Sequence, residues 1–225
     1  MSKNPMHAIV CFLVRLGTRI LCCIDRAALA QVPRRGPLIL VTNHIGSLEV
    51  PLLFAHLQPR PITGFAKIET WDNPFMGWLF DMWGAIPIRR GEADMDALRC
   101  ALAALESGWM LAVAPEGTRS WNGRLLRAHP GVVLIALRSG APILPMVHWG
   151  AESFSRNLKQ FKRTDFHIRV GRPFCLRENG VKITREIRQN MADEIMYQIA
   201  ALMPPEYRGA YTDTAKATDK FLHFA

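Results

Sequence analysis

Acidic residues are the scarce charge in this chain. Nineteen Asp and Glu stand against 28 Lys and Arg, a formal net charge of +9 over 225 residues. That shortage of one sign points to phosphate or an anionic surface as partner, either nucleic acid or a membrane face. Nucleic acid accounts for the charge alone, and the chain lacks the ladder of aromatic and basic residues on which single strands stack. No nucleic acid is therefore expected. Cysteine is sparse and unpatterned: Cys11, Cys22, Cys23, Cys100 and Cys175 have no metal-ligand spacing, and five is an odd number for a disulfide framework. Reduced thiols in a cytosolic setting and no bound metal are expected. Internal repeats and domain-scale linkers are missing as well. With 49% apolar residues the chain reads as one folded domain with a sizeable core.

A long uninterrupted apolar run is also missing. Residues 6–24 come closest, but Arg15 and Arg19 fall inside, each costing ~3 kcal/mol at the centre of a membrane helix. No small-residue cleavage site follows, so no secretory signal is expected. Arg15, Thr18, Arg19 and Arg26 share one helical face; Ile9, Phe12, Leu13, Leu16, Ile20 and Cys23 occupy the opposite one. The pattern predicts that residues 1–30 form an amphipathic helix in a membrane interface, its arginines toward lipid phosphates. The alternative is an amphipathic helix packed on the body of the protein.

What the chain does have is a series of short apolar strands that end in polar chemistry. Leu38-Ile39-Leu40-Val41 runs into Thr42-Asn43-His44-Ile45-Gly46-Ser47-Leu48-Glu49. A histidine at a buried strand end with a carboxylate one turn away suits a general base and its orienting group. A second strand over 62–66 ends at Lys67, and Gly84 to Ile88 ends at Arg89-Arg90. Met110 to Ala114 runs into Pro115-Glu116-Gly117-Thr118-Arg119-Ser120. The aromatic stretch 71–83, with Asn73-Pro74 as a helix start, is either core or the wall of an apolar groove. Residues 92–107 and 184–203 read as amphipathic helices, the second capped by Thr184. Residues 141–147 carry two prolines and read as an irregular or edge strand. Residues 151–163 read as a basic loop, and 212–225 as a polar tail that frays. Strands alternating with helices define an α/β domain over 31–211, with a mixed, mostly parallel sheet flanked by helices. In such sheets ligands bind beyond the carboxyl ends of the strands, so these polar ends share one mouth. There Gly117 lets the backbone approach an anion, Thr118 offers a hydroxyl and Arg119 a forked donor.

These blocks, in this order, resemble the glycerolipid acyltransferases of the 1-acylglycerol-3-phosphate O-acyltransferase type. Asn43-His44 with Glu49, Gly84 to Arg90, Pro115 to Ser120 and Pro142 to Met146 each match a block of that family. The resemblance covers about residues 36–175. It implies a fatty acyl thioester, on coenzyme A or acyl carrier protein, as donor substrate with no further cofactor. The implied acceptor is a lysophospholipid, most simply 1-acyl-glycerol-3-phosphate. His44 becomes the base and Glu49 its orienting partner; Arg90, Glu116, Gly117, Thr118 and Arg119 hold the acceptor phosphate, and Lys67 or nearby backbone N–H groups meet the thioester oxygen. Glu116 has a second reading, as the residue that fixes its own loop. Glu49 departs from the family, which has Asp there. The implied location is peripheral or monotopic, on the cytoplasmic face of the inner membrane, against anionic lipid. Two other readings remain open: the same chemistry on another lysolipid or glycolipid, and an inactive membrane-binding relative.

Overall fold

Behind Pro37 the apolar run forms β2 (Leu38–Thr42), a strand buried along its whole length. The computed structural model describes residues 5–92 and 94–224. Positions 1–4, 93 and 225, which belong to the expected N-terminal segment, the expected 92–107 helix and the tail, lie outside the described residues. Alternation along β2 feeds two cores: Ile39 and Val41 pack on one side of the sheet, Leu38 and Leu40 on the other. A strand buried on both faces needs no polar positions, so it reads as a continuous apolar run.

The other strands are β1 (Cys22–Ile24), β3 (Ile62–Lys67), β4 (Ile86–Ile88), β5 (Met110–Val113), β6 (Ile143–Trp149), β7 (Thr164–Val170), β8 (Phe174–Leu176) and β9 (Leu222–Phe224). They form one mixed sheet of nine strands in the order β1-β7-β6-β2-β5-β3-β4, with β8 beside β6 and β9 beside β8. Strands β2, β3, β4, β5 and β6 run parallel, and β7 is antiparallel to β6. The helices are α1 (Pro5–Leu21), α2 (Arg26–Leu29), α3 (Glu49–His56), α4 (Pro74–Met82), α5 (Met95–Glu106), α6 (Gly131–Ser139), α7 (Phe154–Lys159) and α8 (Arg185–Leu202). Residues of α5, α6 and α8 cover the Ile39 face; residues of α2 and α3 cover the Leu40 face. The expected α/β fold with a mostly parallel sheet is the fold observed.

Local chemistry sets the helix starts. Asn73 caps α4, Asp94 caps α5 and Thr184 caps α8, each side chain accepting an N–H from the first turn. The cap at Asp94 moves the start of α5 inward from the expected residue 92. The 71–83 stretch divides between its two readings: Trp83 is buried, whereas Phe75 and Trp78 are exposed.

Four expectations are corrected. Helix α1 stops at Leu21, because Cys22–Ile24 pairs in parallel with Thr164–Phe166. Strand β6 is central, lying between β2 and β7; Pro145 is tolerated where the β7 ladder ends, its carbonyl accepting the N–H of Gly171. Residues 151–163 are not all loop: a short 3-10 turn and α7 occupy 151–159. The 212–225 tail is tied down over its described part. The buried carboxylate of Glu194 accepts Thr218 Oγ1–H at 2.6 Å and the N–H groups of Lys220 and Phe221 at 3.0 Å, which delivers Leu222 to β9.

Helix α1 keeps its apolar face outward, as an interfacial helix would, while the arginine face expected to lie toward lipid phosphates is turned inward. Its polar face meets the body: Arg15 Nε donates to Ala55 O at 2.8 Å, and Thr18 Oγ1 lies 2.9 Å from His56 Nε2. Phe12, Leu13 and Ile20 point outward and are 56–62% exposed. Arg15 satisfies the carbonyls at the end of α3, where a helix carries partial negative charge, so the cation is better placed there than in water. No described helix is long and apolar enough to cross a membrane.

Candidate active site

The carboxyl ends of the five parallel strands share one edge, and His44 stands just beyond β2 on that edge. The turn after Thr42 brings the chain back so that Glu49 is the first residue of α3. Glu49 Oε1 then meets His44 Nδ1 at 2.6 Å and also accepts the N–H groups of Ile45 at 3.0 Å and Gly46 at 2.9 Å. Burial works against the charge of this carboxylate. The hydrogen bond from His44 and the local backbone donors outweigh it, and the pKa is held down to about 2. The N-terminus of α3 adds to that preference. Glutamate at the first position of α3 therefore reaches the histidine. With Nδ1 committed to the carboxylate, Nε2 is the nitrogen left for a substrate proton.

The loop after β5 is laced to the same turn. Ser120 N–H donates to His44 O and Trp121 N–H to Ile45 O, both at 2.9 Å. Glu116 sits beneath: Oε1 accepts His44 N–H at 2.8 Å and Oε2 accepts Leu126 N–H at 2.7 Å. Burial pushes the Glu116 carboxyl up to about 7, against the pull of the Leu126 and His44 N–H groups; the Glu49 charge pushes the same way as burial. Both oxygens of this carboxylate are occupied by backbone donors, so Glu116 acts on the loop and not on an acceptor phosphate. The phosphate-binding expectation for Glu116 gives way to the loop-fixing one.

Gly117, Thr118 and Arg119 stand exposed at the mouth. Gly117 has φ +66, and a Cβ there would approach His129 Cδ2 to 3.0 Å, so the imidazole of His129 lies against the turn. The Arg119 guanidinium stacks 5.2 Å over the Trp121 ring, which leaves its edge for an anion. Lys67 ends β3, and Arg90 lies just past β4; both are exposed on the same edge. In the strand order β2-β5-β3-β4 they are two and three strands from His44, about 10 and 14 Å at ordinary strand spacing.

Two supports escaped the sequence reading. Asn43 Nδ2 donates to His148 O at 2.8 Å and its Oδ1 accepts His148 N–H at 3.0 Å. His148 Nε2 returns a bond to Asn43 O at 2.9 Å, which puts the proton of the neutral ring on Nε2. Burial keeps this ring below the usual histidine range, hence neutral. The three bonds fasten the residue before His44 to the end of β6. A histidine inside an apolar strand is the one signal that pointed to it.

A histidine fixed by a carboxylate at a strand end stands here on the same edge as a glycine-arginine turn. The family model described as Acyltransferase matches residues 24–149, more than half of the chain, and the chain belongs to that family. It is 36% identical over 118 residues to the lyso-ornithine lipid O-acyltransferase of Pseudomonas aeruginosa, covering 52% of this chain and 44% of that protein. It is 25% identical over 185 residues to a 1-acyl-sn-glycerol-3-phosphate acyltransferase of Chlamydomonas reinhardtii, covering 81% of this chain and 53% of that one. The chain thus spans about half the length of these relatives. Its fold is similar to the crystal structure of the 1-acyl-sn-glycerophosphate (LPA) acyltransferase PlsC from Thermotoga maritima, with TM-score 0.60 at 20% identity over 87% of this chain and 81% of that one.

Proposed function

We propose that the protein transfers a fatty acyl group from an acyl thioester to the hydroxyl of a lysophospholipid, with 1-acyl-glycerol-3-phosphate the leading acceptor and phosphatidic acid the product. The observation that carries this reading is the 2.6 Å contact between His44 Nδ1 and Glu49 Oε1 at the mouth of the sheet. His44 Nε2 takes the proton of the acceptor hydroxyl as its oxygen attacks the thioester carbonyl. When the tetrahedral intermediate collapses, the C–S bond breaks and the imidazolium protonates the departing thiolate. Glu49 stabilises the imidazolium in between. Arg90, Thr118, Arg119 and the backbone at Gly117 hold the acceptor's phosphate, and Lys67 or backbone N–H groups meet the developing oxyanion. The donor is coenzyme A or acyl carrier protein. The outward apolar face of α1 lies in an anionic membrane surface, on the cytoplasmic side of the inner membrane.

A second acceptor is favoured by one observation: the 36% match is to a protein named for lyso-ornithine lipid, whereas the relatives named for 1-acyl-sn-glycerol-3-phosphate match at 25–34%. Thiol release from acyl-CoA and acyl carrier protein decides between them, with lysophosphatidic acid and lyso-ornithine lipid offered in parallel. Absence of acceptor-dependent release with both donors and both acceptors overturns the proposal.

A further inference from the structure

We propose that the α7–β7 turn is a second membrane-inserting element, built around Phe161 and selective for an anionic lipid surface; the inference rests on the membrane reading of α1. Phe161 is 100% exposed, and its φ of +53 is one that a bulky residue adopts at a cost. The fully exposed ring gains no burial to offset that cost. The turn is held on both sides: Lys162 N–H donates to Asn157 O at 2.9 Å, Phe161 N–H to Leu158 O at 3.2 Å, and Asn157 Nδ2 to Thr164 Oγ1 at 3.1 Å. The ring is thus projected outward by a fixed backbone. Leu158, 45% exposed, stands three residues away.

The charge around this tip matches an anionic surface. Arg156, Lys159, Lys162 and Arg163 flank the two apolar residues in sequence, and all four are exposed. Arg163 also joins the tip to α1, its Nη2 donating to Arg19 O at 2.8 Å and to Cys22 O. Between α1 and β7 lies an open depression of about 510 Å³ whose lining sets Arg19, Arg26 and Arg163 against Asp25 and Asp165, so the cationic excess lies in the 156–163 segment itself. An aromatic tip in a run of cations is the composition that enters the headgroup layer while its cations stay with lipid phosphates.

Topology gives the tip a purpose. Strand β6 runs parallel to β2, so its C-terminal end lies on the His44 edge, and α7 and the turn follow it there. The N-terminal end of β7 and the end of α1 meet on the same edge, through the pairing of Cys22 with Thr164. Insertion of Phe161 at one flank would therefore bring the mouth of the sheet down onto the bilayer, where a two-tailed product and a one-tailed acceptor reside.

The test uses the full chain and vesicles of one part phosphatidylglycerol to three parts phosphatidylcholine, read by co-sedimentation. Because Phe161 is fully exposed, Phe161→Asp leaves the fold intact, which thermal melting checks. The expected result is about tenfold weaker partition for Phe161→Asp, as befits withdrawal of a large apolar side chain from lipid. Lys159→Glu with Lys162→Glu should abolish the preference for these vesicles over pure phosphatidylcholine. Phe12→Asp on α1 is the control for the underlying reading. If Phe12→Asp releases the protein and Phe161→Asp does not, this inference alone is overturned; if the wild type fails to bind vesicles, the membrane reading falls and takes it along. Unchanged vesicle binding by Phe161→Asp with a raised KM for acyl carrier protein would assign the tip to an acidic protein partner and overturn it as well.

Discussion

The backbone N–H of His44 and the side chain of Glu116, 72 positions apart, are joined by a 2.8 Å hydrogen bond beneath the mouth of the sheet. His44 is thus held twice, through its ring by Glu49 and through its main chain by Glu116. The second hold also reaches Leu126, which ties the loop after β5 to the His44 turn.

Replacing Glu116 should separate these two holds. Glu116→Ala leaves the N–H groups of His44 and Leu126 buried without acceptors, a loss of about 2–4 kcal/mol in stability. Glu116→Gln keeps one acceptor and presents an amide donor to the other N–H, so it should lose about half as much. In both, kcat should fall more than acceptor KM rises. Chemical denaturation and steady-state kinetics check this; a phosphate-binding Glu116 would instead raise KM selectively for phosphate-bearing acceptors.

Glu49 is the second test. Glu49→Gln removes the charge that stabilises the imidazolium and should lower kcat on the order of 10³-fold, close to the effect of His44→Ala. Glu49→Asp withdraws the oxygen that His44, Ile45 and Gly46 share, and should lose less, about tenfold. Equal activity of wild type and Glu49→Gln would remove the carboxylate from the mechanism.

The pH dependence of stability follows from the signs of two shifts. The Glu116 carboxyl is raised to about 7, so the folded state holds its proton more tightly than the unfolded chain. Its stabilising contribution is full below the ordinary carboxylate range and is lost as pH rises through about 7. Glu49, held down to about 2, contributes above the ordinary carboxylate range and loses that contribution only as pH falls toward 2. The difference in unfolding free energy between wild type and Glu116→Gln should therefore shrink from pH 5 to pH 8, by on the order of 3 kcal/mol. Denaturation series at fixed ionic strength across that window measure it.

Helix α1 offers a paired prediction. Arg15→Ala removes the donor to Ala55 O and Gln58 O and should cost about 1–2 kcal/mol of stability. Phe12→Ala, on the outward face, should change stability by less than about 0.5 kcal/mol while weakening vesicle binding. The opposite ranking in denaturation would mean that the apolar face packs on the body.

The His44–Glu49 contact was legible in the sequence once the later polar strand ends and the family resemblance stood beside a spacing that chance alone could give, and apolar runs that end in polar residues marked the parallel strand ends. What stayed hidden depends on partners distant in the chain. A helical wheel shows that α1 has two faces but not which one meets the protein; that choice lies with the carbonyls of Ala55 and Gln58. The order of the tail depends on Glu194, the placement of β6 on Val170 and Gly171, and the support of Asn43 on His148. The loop-fixing role of Glu116 required knowing that His44 N–H and Leu126 N–H would converge on it.

The bond from Arg163 to the carbonyl of Cys22 spans 141 positions, and that distance has a meaning in time. At ordinary rates of synthesis Arg163 is added roughly seven to thirty seconds after Cys22. Strand β1 has no neighbour in that interval, and β2 is flanked on one side only until Ile143 appears. Helix α1 acquires its polar seat much earlier, since Ala55 and Gln58 follow soon after it. The outward apolar stripe is thus complete while the sheet behind His44 is still open, and if α1 binds lipid as proposed, a nascent chain would offer that face before the His44 edge is assembled.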